Sequence, residues 1–167
     1  MSEPRNYFLT AAAAEKKLQR MAFEIAEQNT EENTDLIFAG IKDNGVVLAH
    51  IIADYLKEFF PGKIRVIEVN LNKREPDEIE ISEKIDFTNA VIILIDDVTN
   101  TGKTLLYALK PFIKFQPKKI QTLTLVERSH KMFPVSSDYV GISLATTLQD
   151  HIFVEVEGGR VSGAYME

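Results

Sequence analysis

The run Val91-Ile92-Ile93-Leu94-Ile95 is the feature that most restricts the fold. Consecutive apolar residues bounded by polar sequence read as a strand covered on both faces, because a half-solvated strand would alternate. Such strands belong to parallel sheets wrapped by helices, and the flanking sequence supplies both. Asp35 to Ile41 is a second short apolar strand, followed by Val47, Leu48, Ile51, Ile52, Tyr55 and Phe59 at helical spacing and stopped by Pro61-Gly62. Ile64 to Val69 and Lys119 to Val126 read as further strands, with a helix from Thr104 to about Phe112. Leu18, Met21, Ala22 and Ile25 place an amphipathic helix over about Ala11 to Glu27, capped by Thr10. Asn70 to Asn89 reads as polar and irregular, and Glu127 to Gln149 as rich in turn formers. Ile152, Val154 and Val156 then alternate with polar residues, Gly158-Gly159 fits a two-residue turn, and Val161 begins a return strand.

The expected architecture is α/β: a parallel-stranded sheet flanked by helices with a C-terminal β-hairpin, all in a single domain spanning residues 1–167. Open sheets of this kind bind ligands at the carboxyl ends of their strands. Candidate sites therefore lie just after Ile41, Ile95 and Val126, each followed by a polar loop.

Composition narrows the chemistry. With no cysteine, disulfides, thiolate metal sites and cysteine nucleophiles are excluded, in keeping with a reducing compartment. A net charge of −6 argues against a protein that coats nucleic acid. An acidic protein that handles phosphates must hold them with backbone N–H groups, local Lys or Arg, or metal. Charges such as Arg65 and Lys73 keep every apolar run short of a membrane span, and Met1 to Asn6 lacks the features of a signal peptide. The expectation is a soluble, cytoplasmic protein without membrane contact.

The chemistry concentrates after Ile95, in Asp96-Asp97-Val98-Thr99-Asn100-Thr101-Gly102-Lys103-Thr104. Gly102 permits close backbone approach, N–H groups at the start of the following helix point toward an anion, and threonine hydroxyls add uncharged donors. Asp96 and Asp97 are acceptors suited to vicinal ribose hydroxyls and to holding Mg²⁺ through water. Alone, an Asp-Asp strand end is often a solvated cap and Thr-Gly-Lys-Thr a plain helix start. Their combination is more specific. A Walker phosphate loop is excluded, because it needs glycine where this chain has Asp97.

The combined segment resembles the phosphoribosyl-pyrophosphate signature of type I phosphoribosyltransferases: apolar strand, two acids, four variable positions ending in threonine, then glycine. The resemblance implies that fold, with Asp96 and Asp97 on the ribose hydroxyls and Thr99 to Thr104 around the 5′-phosphate. It also implies Mg²⁺ on pyrophosphate and ribose while a nitrogenous base attacks an oxocarbenium-like carbon. Further stretches are similar to the bifunctional pyrimidine-operon regulator and uracil phosphoribosyltransferase branch of that family. They are Lys17 to Ile25, Phe38 to Gly45, Leu125 to His130, Asp138 to Gly141, and Thr146-Thr147.

That resemblance places a pyrophosphate loop at Ile41-Lys42-Asp43 and base or pyrophosphate contacts at Arg128 and His130. It makes Lys42 and Arg74 catalytic cations beside Asp96 and Asp97. Purine-using relatives usually carry an aspartate where this chain has Asn100, and an amide cannot act as that base, so a pyrimidine, uracil above all, is the expected acceptor. Two departures stand out. Relatives have a Thr-Arg pair where this chain has Asp43-Asn44, and the hood connection from Asn70 to Asn89 is short, with Lys73 and Arg74 as its cations over pyrophosphate. The competing reading is a regulator that binds RNA through Arg5, Lys16, Lys17 and Arg20, although such charges usually only solvate a helix face. His50 and His151 read as structural, and Phe59-Phe60, Phe112 and Phe115 as core or dimer surface. A homodimer is the default assembly.

Overall fold

The computed structural model describes residues 4–72, 74–76, 78–147 and 149–167. Elements follow in the order β1 (Asn6–Thr10), α1 (Ala11–Gln28), β2 (Leu36–Ile41), α2 (Asn44–Leu56), β3 (Ile64–Leu71), β4 (Ile79–Ile81), β5 (Val91–Thr99), α3 (Lys103–Ala108), α4 (Lys110–Ile113), β6 (Lys119–Arg128), β7 (Tyr139–Leu144), β8 (Ile152–Glu157) and β9 (Arg160–Met166). The main sheet has the order β4-β3-β2-β5-β6-β7, parallel throughout except that β4 pairs antiparallel with β3 at one edge. Strands β1, β9 and β8 form a second, antiparallel sheet.

Strand β5 lies centrally and is buried on both faces, as its unbroken apolar run requires. Ile93 and Ile95 face one core with Leu18, Met21 and Ile25 of α1 and Leu48 and Ile52 of α2. Ile92 and Leu94 face the other with Leu105 and Ala108 of α3 and Phe112 of α4. The small sheet closes over the first core through Leu9, Ile152, Val154 and Val161. Thr10 caps α1 as expected, its Oγ1 accepting from Ala13 N at 3.1 Å. Gly158 and Gly159 form the hairpin turn at φ 59° and 75°.

Two strands lie in stretches that read as irregular, β4 inside the polar segment 70–89 and β7 inside the turn-rich segment 127–149, and a third, β1, precedes the first helix where no strand was expected. Each depends on a partner distant in sequence: β1 on β9, β4 on β3, β7 on β6. The expected single helix from Thr104 to Phe112 is two pieces, with Pro111 in the first turn of α4. Among the described residues, no helix is long and apolar enough to cross a membrane.

Candidate functional site

Chain order reverses between β2 and β5: β3 lies beyond β2 on one side, and β6 beyond β5 on the other. The connections leaving β2 and β5 therefore part at one crevice, where ligands of such sheets sit. Gly45, in the first turn of α2, brings the two lips together. A Cβ there would lie 2.4 Å from Ile95 O and 3.2 Å from Asp96 Cα, so a larger residue would push α2 off β5.

Strand β5 delivers the two carboxylates to this crevice. Asp96 is 1% exposed and its Oδ1 accepts from Asp97 N at 2.9 Å. Asp97 is partly buried, its Oδ1 accepting from Val98 N at 2.8 Å and its Oδ2 from Asn44 Nδ2 at 2.9 Å. These bonds orient both carboxylates at the end of β5.

The loop that follows is held from behind. Gly102 has φ 87°, and a Cβ would stand 3.2 Å from Phe133 O and 3.3 Å from Val135 O. The Thr101 carbonyl accepts from Met132 N at 2.9 Å and Phe133 N at 3.0 Å, and Thr101 Oγ1 accepts from Lys103 N at 3.3 Å. Thr99 is buried, its hydroxyl 3.5 Å from Ser137 Oγ, which lies 2.9 Å from Thr124 Oγ1. Glu127 completes this support: its Oε1 accepts from Ser137 N at 2.9 Å and lies 3.0 Å from Lys131 Nζ in a largely buried ion pair. The segment after β6 thus forms the rear wall of the 99–104 loop. Lys103 and Thr104 open α3, half-buried.

Arg128, at the end of β6, is 3% exposed and bonds four oxygens. It donates to Thr146 Oγ1 at 2.6 Å, Asp150 O at 2.6 Å, Thr147 O, and Asn100 Oδ1 at 3.3 Å. Because a guanidinium only donates, the Asn100 amide must turn its oxygen toward Arg128 and its NH₂ away. Among the described residues, Arg128 Nε is buried without a hydrogen-bond partner. His130 is exposed on the following loop.

The lip after β2 is more open. Ile41 is fully buried at the strand end, whereas Lys42 and Asp43 are exposed across a cis peptide. Lys42 N donates to Val69 O at 2.9 Å, and Lys42 Nζ lies 3.4 Å from Glu68 Oε2. Arg74 sits in an exposed turn between β3 and β4, its N–H donating to Asn72 Oδ1 at 3.0 Å. Lys73 lies outside the described residues.

Among the described residues, no group of three or more His, Asp or Glu side chains converges to hold a metal. Asp96 and Asp97 offer hard oxygen donors at one strand end without a complete octahedral set. Such a donor set fits a Mg²⁺ ion that keeps water and takes other ligands from substrate phosphates.

The phosphoribosyl transferase domain family matches residues 6–158. The chain belongs to that family. It is 34% identical over 164 residues to the "Bifunctional protein PyrR" of Clostridium novyi strain NT, covering 92% of each protein. It is 32% identical over 147 residues to the protein of that name from Streptococcus pneumoniae strain CGSP14, covering 84% of each. The fold is similar to that of the hypoxanthine phosphoribosyltransferase of Trypanosoma cruzi, with TM-score 0.73, 14% identity and 83% and 81% of the two chains covered. The type I phosphoribosyltransferase fold expected from the signature is thus the fold observed, with the hairpin in a separate sheet.

Residues that sequence reasoning missed stand behind or across from the signature: Asn44, Glu127, Lys131 and Ser137. The contact between Glu127 and Ser137 carried no signal, because it depends on β6 and the later loop folding back. Asn44 stood out as a departure from the arginine that the family resemblance leads one to expect, but its contact with Asp97 did not.

Proposed function

We propose that the protein transfers the 5-phosphoribosyl group of phosphoribosyl pyrophosphate to a pyrimidine base, uracil being the expected acceptor, with UMP and pyrophosphate as products. The observation that carries this reading is the 96–104 segment: two oriented carboxylates joined to a glycine-centred loop, at the point where the strand order reverses. Backbone N–H groups and the hydroxyls of Thr101 and Thr104 hold the 5-phosphate, with Val98 and Thr99 forming the turn into the loop. Asp96 and Asp97 accept from the ribose hydroxyls. Lys42, Asp43 and Arg74 border the pyrophosphate, and Asn100, Arg128 and His130 border the base.

The reaction breaks the bond between C1 of the ribose and the pyrophosphate oxygen, forms a bond from C1 to a base nitrogen, and releases that nitrogen's proton. Bound Mg²⁺, with Asp96 and Asp97 as its protein donors, would neutralise charge on the leaving group. The carboxylates fix the ribose so that C1 faces the incoming nitrogen, and their negative charge favours the cationic character that develops on the ring.

The uracil reading is favoured over purines because Asn100 holds an amide, oriented by Arg128, at the position where purine-using relatives place an acid. The decisive assay follows pyrophosphate release with phosphoribosyl pyrophosphate and each common base. Release with uracil alone supports the reading, and release only with hypoxanthine or guanine overturns it. RNA binding ranks second. Arg5 is engaged by Glu155 and stacks on Tyr165, and Arg20 is engaged by Glu24, Val140 O and Gly141 O, which leaves Lys16 and Lys17 as the strip's remaining cations for phosphates. Gel-shift titration at physiological salt should show weak or absent binding to structured leader RNA, and submicromolar affinity would reverse the ranking.

A further inference from the structure

We infer that Asn44 is a positioning residue for the ribose site, tying the Asp97 carboxylate to the C-terminal hairpin. The inference deepens the function proposed above and rests on its assignment of Asp97 to the sugar.

The Asn44 side chain makes two contacts, to groups that belong to different sheets. Its Nδ2 donates to Asp97 Oδ2 at 2.9 Å and to the Val154 carbonyl at 2.9 Å. Asp97 belongs to β5 of the main sheet, and Val154 to β8 of the small one. An NH₂ group has two hydrogens, so both are committed, and the amide is locked between two acceptors. The contact is possible because Gly45 allows the start of α2 to pack directly on the end of β5. With Asp97 Oδ1 accepting from Val98 N, each of its oxygens receives a donor, and the carboxylate plane is fixed.

The chemistry of position 44 follows. A neutral donor at 2.9 Å orients Asp97 without neutralising it, whereas an arginine there would pair with the carboxylate and compete with a sugar hydroxyl or hydrated metal for it. Val154 O lies on β8, whose side chains Ile152 and Val154 pack into the first core, so it provides a rigid anchor. Charged neighbours of Asn44 and Asp97 are Asp96 on β5, Lys42 and Asp43 before α2, and Glu155 on β8, the last engaged by Arg5 and Tyr7. A mispositioned Asp97 would cost interactions with the sugar while leaving the phosphate loop, held from behind by Met132 and Phe133, in place.

The test compares ribose 5-phosphate with inorganic phosphate by calorimetric titration of the wild type and of Asn44→Ala, Asn44→Asp and Asn44→Ser, with melting temperature as a control. In the wild type, ribose 5-phosphate should bind more tightly than inorganic phosphate, and that difference measures the sugar contacts. Asn44→Ala and Asn44→Asp should reduce ribose 5-phosphate affinity about tenfold, equivalent to one lost charge-assisted hydrogen bond. Inorganic phosphate affinity should be unchanged, and Asn44→Ser, retaining one donor, should recover part of the loss. A general disturbance of the fold would weaken both ligands alike, and that result overturns the inference. So does a folded Asn44→Ala variant with full preference for the sugar phosphate. If the wild type shows no such preference, the ribose assignment of Asp97 fails first, and the positioning role falls with it.

Discussion

The loop after β5 and the loop after β2 face each other across one crevice, yet they are built in opposite ways. The first is backed by a wall: Thr101 O takes two backbone donors, Glu127 holds Ser137, and Thr99 is buried. The second is exposed at Lys42 and Asp43, and among the described residues Lys42 makes a solvent-facing pair with Glu68. The walled loop carries the segment on which the family resemblance rests, and the open one carries Asp43-Asn44, where that resemblance leads one to expect a Thr-Arg pair. A backed loop tolerates little change, since its residues are held against the wall, whereas an exposed loop can change its charge without loss of fold. Substitutions on the first lip should therefore alter binding strongly, and those on the second should tune it.

The largest effect is expected from Asp96→Asn combined with Asp97→Asn. The amides can still accept from Asp97 N and Val98 N, but they remove the charge that strengthens bonds to sugar hydroxyls, and at position 97 an NH₂ group then faces Asn44 Nδ2, so that contact is lost as well. Two charge-assisted hydrogen bonds at about 1.5 kcal/mol each predict at least a hundredfold loss of phosphoribosyl-pyrophosphate affinity. Calorimetry reads the loss, and circular dichroism should show an unchanged fold. Unaltered affinity would mean that the two lips do not differ as described.

Gly102→Ala tests the wall directly. A side chain at φ 87° costs about 1–2 kcal/mol, and its Cβ would crowd Phe133 O. The melting temperature should fall by about 2–8 °C, and inorganic phosphate affinity should fall with it. If stability drops but phosphate binding does not, the loop is structural and the phosphate lies elsewhere.

Asp43→Thr tests the open lip. Asp43 does not hydrogen-bond to cap α2 with its side chain, so its removal should leave stability within about 0.5 kcal/mol. Replacing a carboxylate near pyrophosphate should tighten pyrophosphate by up to about tenfold at low Mg²⁺, with the gain shrinking as the metal screens the repulsion. A Mg²⁺ series on both proteins reads this. Adding Asn44→Arg to imitate the relatives should not improve binding further, because it breaks the tie between Asp97 and Val154.

The contrast between the lips also explains what could be read from the chain. The run from Val91 to Ile95 with its two acids announced a buried parallel strand ending in a ligand site, because burial and chemistry there are both local properties. Thr10 and Gly158-Gly159 were legible for the same reason. Strand β7 was not, since Tyr139 to Leu144 becomes a strand by pairing with β6 and covering α1, and Tyr139 is buried there with its hydroxyl 2.7 Å from Gln121 Oε1. That burial pushes the Tyr139 phenol up to about 12. The rear wall was hidden likewise: Glu127 and Ser137 are ten residues apart and meet only because the chain folds back at 129–138. Arg128 was legible as a functional candidate but not as a buried clamp, because burial of a cation depends on the Thr146 to Asp150 segment closing over it.

The smallest effect is expected from Glu68→Gln, which alters the open lip without touching the crevice. Glu68 lies on β3 and pairs with Lys42 at 3.4 Å, both side chains more than 40% exposed. An exposed pair of this kind is worth about 0.2–1 kcal/mol, so breaking it should hardly change stability. If Lys42 holds pyrophosphate as proposed, the pair competes for its ammonium. Releasing the lysine should tighten pyrophosphate by no more than about fivefold, the whole value of the pair, and raised ionic strength should erase the gain. Lys42→Ala should make the Glu68→Gln gain disappear, since the two changes act through one contact. A gain that survives in the Lys42→Ala background would come from the general loss of negative charge, and Lys42 would then have no direct part in holding pyrophosphate.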